Sequence, residues 1–238
     1  LVRMSRDTGE MTRLQWRLLR WGKYMMGRIF RQGLPTGVQN AVISLGNVVI
    51  QSNINSFGSY AMSGLGAYSK IEGFAFLSVT AMSMTLPTFV SQNLGAGNIS
   101  RAKKGAVFGC LTGMAAAELT GIVMFVFIPQ LLALFIDTPE AIAYGTLHAR
   151  IDTLFYCMLA LAHCSAGVLR GCGKSTVPMV IMLGCWCVLR SVYVTLILKV
   201  IHQFRMICWA YPLTWSLSTI VFLFYLFKTD WLGERKEA

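Results

Sequence analysis

The chain has 238 residues, 55% of them hydrophobic and only 13% charged, where soluble domains carry roughly 25% charged residues; its mean hydropathy is +0.58. Lys and Arg number 21 against 10 Asp and Glu, a formal charge of +11. These values exclude an ordinary soluble domain. The basic excess is not a nucleic-acid footprint either, because it lies between long apolar runs, where it orients helices in a bilayer.

Residues 1–31 come first and are strongly basic. Met11, Leu14, Leu18, Trp21 and Met25 recur at three- and four-residue spacing beside Arg13, Arg17 and Arg20. That pattern predicts an amphipathic helix lying on anionic head groups, or else a linker helix packed against protein. Six apolar stretches follow, near 33–57, 62–91, 105–135, 147–169, 177–199 and 207–228. Each is long enough to cross the bilayer as a helix, and none shows the alternation of a barrel strand. The organisation is therefore a cytoplasmic segment 1–31, a six-helix lobe over 32–229 and a tail over 230–238.

The first span carries a polar row. Asn40, Ser44, Asn47, Gln51 and Asn55 recur at three- and four-residue steps, which places them on one helix face, with Gln39 beside it. Lipid makes such a row expensive, so it should face the bundle or a wet cavity. Interhelical hydrogen bonding is one use for it. A substrate pathway along Gln39, Asn40, Ser44, Asn47 and Gln51 is the other, and five polar groups in register exceed what helix adhesion needs. Further on, Glu72 stands in the second span and Glu118 in the third, and intramembrane carboxylates point to ion or proton routes. Glu118 is the first ion-coupling candidate and Glu72 the next. Asp152, near the outer end of the fourth span, reads as interfacial, and Arg190 lies deep in the fifth. Pro87 and Pro212 fall inside spans and should bend them.

Charge bias fixes an expected orientation. With residues 1–31 inside, sixteen basic residues fall on the cytoplasmic side. Only Lys70, Arg150, Lys199 and Arg205 fall on the other. Both termini are then cytoplasmic. Gly171-Cys172-Gly173-Lys174-Ser175-Thr176 imitates the end of a phosphate-binding loop, but Val168 stands where the first glycine is required and no strand precedes it. It reads as a tight turn. The seven cysteines lie mostly within apolar runs without zinc spacing and read as packing residues. His148, His163 and His202 lie far apart in sequence. No catalytic set and no metal set is visible, so the chain does not read as an enzyme.

Several segments carry a resemblance when taken together. Gly33-Leu34-Pro35-Thr36-Gly37-Val38-Gln39 opens the first span. Phe57-Gly58 and Ala67-Tyr68-Ser69-Lys70-Ile71 follow. Then come Val90-Ser91-Gln92-Asn93-Leu94-Gly95-Ala96-Gly97-Asn98 with Arg101-Ala102, and Leu169-Arg170-Gly171-Cys172-Gly173 with Pro178. In this order and spacing they resemble the second half of bacterial multidrug and toxic compound extrusion (MATE) transporters. The resemblance implies an all-α integral membrane fold of six transmembrane helices, one lobe of a two-lobed twelve-helix transporter. Residues 1–31 would be the interlobe loop, and the Gln92–Asn98 loop a hinge or packing element.

The resemblance further implies export of small organic cations or drugs across the bacterial plasma membrane, coupled to H+ or Na+, with no bound cofactor. Some sodium-coupled members carry carboxylates in the first and fourth spans of this lobe. Here those positions hold Ile43 and Leu159, which argues against a sodium site of that kind. The start at Leu1 leads us to expect a longer parent supplying the missing N-terminal lobe; a second copy of the chain is the other way to complete two lobes. A flippase for lipid-linked saccharides and a truncated half without transport activity are the competing readings. Arg190 is the single deep cation a flippase could use.

Overall fold

Long apolar stretches separated by glycine-bearing turns fold as helical columns, because backbone polar groups in lipid are satisfied within a helix. The computed structural model describes residues 23–229. The amphipathic reading of Met11 to Trp21 and the tail over 230–238 lie outside the described residues. The elements, in order, are α1 (Lys23–Asn55), α2 (Ser59–Gly95), α3 (Ile99–Ala133), α4 (Pro139–Thr153), α5 (Tyr156–Gly171), α6 (Thr176–Met182), a π-helical turn (Leu183–Leu189), α7 (Arg190–Val200) and α8 (Phe204–Lys228). Helices α4 and α5 form one bent column, and Thr176–Val200 runs unbroken through the π turn, so six columns result.

Four helices are long and apolar enough to cross a membrane, and the bent α4–α5 pair makes a fifth. The first column, α1, is 33 residues long and is more polar than these because of the row from Asn40 to Asn55. Helix α1 also takes in residues 23–31, the end of the basic segment. Pro87 lies inside α2 and Pro212 inside α8; a break of 56° falls between α4 and α5, where no proline stands. Helix α3 absorbs the cost of that break. A Glu118 carboxylate oxygen accepts the Cys157 backbone N–H at 3.0 Å, and the Thr153 carbonyl lies against the bare Cα of Gly121.

The main core joins α2, α3, α5 and α8 through Tyr68, Val79, Ile128, Leu159, Leu169, Trp215 and Phe222, all buried. A smaller cluster of Ile50, Ile54, Ile151, Val194 and Ile207 closes one end of the lobe. In lipid such packing gains no solvent-exclusion energy, so close fit decides. The α2–α5 contact shows how. Pro87 cannot donate to the Ser83 carbonyl one turn back, and Gly167 brings its bare Cα against that same carbonyl. A methyl at Gly167 would stand 2.7 Å from the Ser83 oxygen, and one at Gly171 would stand 2.8 Å from the Pro87 oxygen.

Two turns at the same end share one design. After Gly95, Ala96 caps α2 and Gly97 takes φ +71°. Gly97 N–H then donates to the Leu94 carbonyl and Asn98 N–H to the Asn93 carbonyl. After Gly171, Gly173 takes φ +77° and Lys174 N–H donates to the Leu169 carbonyl. Both are Schellman stops, which need a residue tolerant of positive φ. The sequence that imitates a phosphate loop is one of them.

Candidate substrate face and buried polar network

Helix α1 is bound to the lobe along one stripe only. Gln39, Gly46, Ile50 and Ile54 are buried, and α1 packs chiefly on the π turn, α6 and α7. Gly46 permits the closest approach, since a Cβ there would meet Cys187 Sγ at 3.2 Å. At 3.6 residues per turn the row Asn40, Ser44, Asn47, Gln51 and Asn55 is centred roughly 100° round the helix from that stripe. All five residues are exposed.

Their hydrogen bonds stay on α1. Ser44 Oγ donates to the Asn40 carbonyl at 2.9 Å, and Gln51 Nε2 donates to Asn55 Oδ1 at 3.3 Å. The row is therefore not glue between helices of this lobe. Gln39 is separated from the others. It is 3% exposed, its Nε2 donates to Met182 Sδ at 3.0 Å, and its Oε1 accepts from Arg170 Nη2 at 3.2 Å. The structure thus places four of the five pathway candidates on one open face and turns the fifth inward, where it ties α1 to α5 and α6.

The two carboxylate candidates occupy different settings. Glu118 satisfies the first turn of α5, where an anion interacts favourably with the helix dipole. Glu72 lies one turn from Tyr68 on the same face of α2, within electrostatic reach of Arg190, Asp152 and Tyr156. Asp152, near the outer end of its column, faces into the lobe: it is fully buried on a helix that packs against α2, α3 and α8. Its Oδ2 lies 3.3 Å from His148 Nε2, and neither carboxylate oxygen has a hydrogen-bond partner in good geometry.

Around Asp152 four columns contribute to one polar network. Tyr68 and Tyr156 share a hydrogen bond of 2.9 Å between their hydroxyls. The His148 ring stands edge-on to Tyr68 and to Tyr211, with centroids 5.2 Å apart in both cases. Arg190, 3% exposed, lays its guanidinium 4.4 Å over the Tyr211 ring and 5.7 Å from that of Trp186. Its Nε and Nη2 both donate to Thr214 Oγ1, at 3.0 and 2.7 Å. Among the described residues no carboxylate comes within 4.0 Å of it. Neutral partners and ring faces hold this cation, with Glu72 and Asp152 within its electrostatic reach.

The network's helical spacings are plain in the sequence: Tyr68 and Glu72; His148, Asp152 and Tyr156; Trp186 and Arg190; Tyr211 and Thr214. Taken one at a time these residues look unremarkable. The π turn aims Arg190, by inserting part of a turn between α6 and α7; such turns recur at functional sites.

The MatE family profile matches residues 35–196, which runs from the start of the polar row past Arg190. The chain belongs to the MatE family. Members of this family are membrane transporters and not enzymes. Curated relatives agree: the chain is 28% identical over 168 residues to "Probable multidrug resistance protein YpnP" of Bacillus subtilis, covering 71% of this chain and 38% of that one. It is also 28% identical over 153 residues to "Probable multidrug resistance protein NorM" of Thermotoga maritima, covering 64% and 33% respectively.

Among solved structures, an outward-facing MATE-family multidrug resistance transporter superposes with a TM-score of 0.79 at 18% identity, over 85% of this chain and 45% of that one. A MATE in complex with MaL6 gives a TM-score of 0.83 at 14% identity, over 95% and 51%. The MatE chain thus spans from about a third to about half of the length of these proteins. It has the fold of a half-length lobe, all-α and multi-pass.

Proposed function

We propose that this MatE chain is the C-terminal lobe of a cation-coupled efflux transporter, whose α1 polar face forms one wall of the cleft through which small organic cations leave the cell. The observation that carries this reading is the open face itself. Asn40, Ser44, Asn47 and Gln51 are exposed, bond within α1, and lie on a column that lipid would penalise. A second lobe across an aqueous cleft gives these groups their use, and the coverage of relatives leaves room for such a lobe. It would lie in the bacterial plasma membrane with both termini cytoplasmic.

Coupling fits Glu72 with Asp152 better than Glu118, which is already spent on the α5 terminus. A proton suits the network as coupling ion. Ile43 and Leu159, where a sodium-binding pair would stand, belong to the apolar core, while Arg190 already supplies a fixed positive charge beside the carboxylates. Binding of the proton and of substrate would each favour a different state of the lobes. The flippase reading loses its cation, because Arg190 is bonded to Thr214 inside the lobe and not presented on α1's side of the cleft.

The test is ethidium or norfloxacin efflux by the two-lobed parent carrying Asn47→Leu with Gln51→Leu. Loss of efflux with unchanged membrane abundance is the expected result. Efflux equal to that of the unaltered parent removes the α1 face from the pathway.

A further inference from the structure

A groove of about 700 Å³ opens between α3, α4 and α8, lined by Phe125, Leu147, Leu154, Trp209, Arg150 and Arg205 among others. It arises from the 56° break, which swings α4 away from the line of α5 and leaves Leu154 at the elbow. No residue of α1 lines it, so it is separate from the cleft face. Its walls are mostly apolar, and its charged members are two arginines. Both are exposed, and among the described residues neither has a carboxylate within 4.0 Å. Arg150 instead rests its guanidinium 5.5 Å over the Phe125 ring.

Depth decides what such a groove meets. Arg170 and Lys228 close α5 and α8 at one end of the lobe. Counting back along the α5–α4 column, Arg150 stands roughly 30 Å from Arg170 at 1.5 Å per residue, somewhat less for the bend. Arg205 stands roughly 35 Å from Lys228 by the same rise. The hydrocarbon core is roughly 30 Å thick, so both guanidiniums reach the opposite head-group plane. Trp209, one turn below Arg205, sits where indoles anchor at that interface.

We propose that this groove is a binding site for one anionic phospholipid. Arg150 and Arg205 hold its phosphate, and an acyl chain lies along the apolar wall of Phe125, Leu147, Leu154 and Trp209. Guanidinium forks match phosphate oxygens in pairs. A head group whose phosphate is its sole charge fits two unpaired arginines; a choline head group would bring its own cation against them. Basic pockets between transmembrane helices bind anionic lipid head groups by this chemistry.

The test uses the whole 238-residue chain in detergent micelles doped with dioleoyl phosphatidylglycerol or dioleoyl phosphatidylcholine, read as melting temperature. With phosphatidylglycerol at 100-fold its Kd, a rise of about 5–10 °C over phosphatidylcholine is expected. Arg150→Gln with Arg205→Gln should erase the difference, and Lys103→Gln with Lys104→Gln should keep it. Leu154→Trp, which fills the groove and leaves both arginines, should erase it as well and covers the case of an arginine variant that fails to fold. Glycerol 3-phosphate and inorganic phosphate should give no rise, which separates a lipid from a free anion. Equal shifts with both lipids, a preference that survives the arginine pair or Leu154→Trp, or a full rise with free phosphate would each overturn the proposal.

Discussion

Thr214 is the residue on which the buried cation depends most directly. Its hydroxyl accepts from both Nε and Nη2 of Arg190, at 3.0 and 2.7 Å, and the guanidinium is 3% exposed. Thr214→Val keeps the shape of the side chain and removes the acceptor. A hydrogen bond to a charged group is worth roughly 1.5–3 kcal/mol, and a buried charged donor left bare costs its full desolvation. Two donors converging on one oxygen bring the expected loss to about 2–4 kcal/mol. The hydroxyl's own bond to the Ala210 carbonyl adds little, because that carbonyl stays within the helix. At 2–4 °C per kcal/mol for a chain of this size, the melting temperature should fall by about 5–15 °C. Thr214→Ser retains the oxygen and should restore most of the loss. If Thr214→Val melts with the unaltered chain, the placement of Arg190 on Thr214 is wrong, and with it the network.

Two further substitutions test the helix contacts. Gly167→Ala puts a methyl 2.7 Å from the Ser83 carbonyl, whereas Gly66→Ala meets nothing within 4 Å. Both gain the same helix propensity, so their difference in unfolding free energy isolates the α2–α5 approach, at about 1–3 kcal/mol against Gly167→Ala; equal stabilities would refute the close contact. Glu118→Gln keeps a hydrogen-bonding oxygen for Cys157 N–H but discards the charge at the α5 N-terminus. A loss of about 0.5–2 kcal/mol is expected in chemical denaturation, with transport by the two-lobed parent retained. Abolished efflux in a folded Glu118→Gln protein would return Glu118 to the coupling role.

Column order was legible in the sequence because it rests on apolar length, and length alone separates Ser59–Gly95 from Ile99–Ala133. The polar row of α1 was legible for the same geometric reason, since a three- and four-residue period defines a face. Which way a single residue beside that face turns was not. Gln39 sits one step from Asn40, and its inward turn depends on Met182 and Arg170 arriving from columns more than 130 residues away. Asp152 shows the same limit. Counting along a span gives its depth, near one end, but not the side it faces, and that side is the inside of the lobe. The α2–α5 contact was hidden in the same way, since the Ser83 carbonyl that Pro87 leaves without a donor meets Gly167 from another column.

The polarity of α1 also bears on how the lobe is made. A helix bearing such a polar row partitions into lipid less readily than a wholly apolar one as it emerges. Its packing partners are Met182, Cys187 and the helix beyond, which are synthesised well over 100 residues later. During that interval α1 has α2 as its neighbour, through the three-residue turn at 56–58 and the packing of Ile50 and Ile54 in one cluster with Ala61 and Leu65. The column that forms the proposed transport wall is thus the first of the described columns to be synthesised and among the last to be held in place. Insertion, rather than folding within the bilayer, is the step at which changes to its polar row would first be felt.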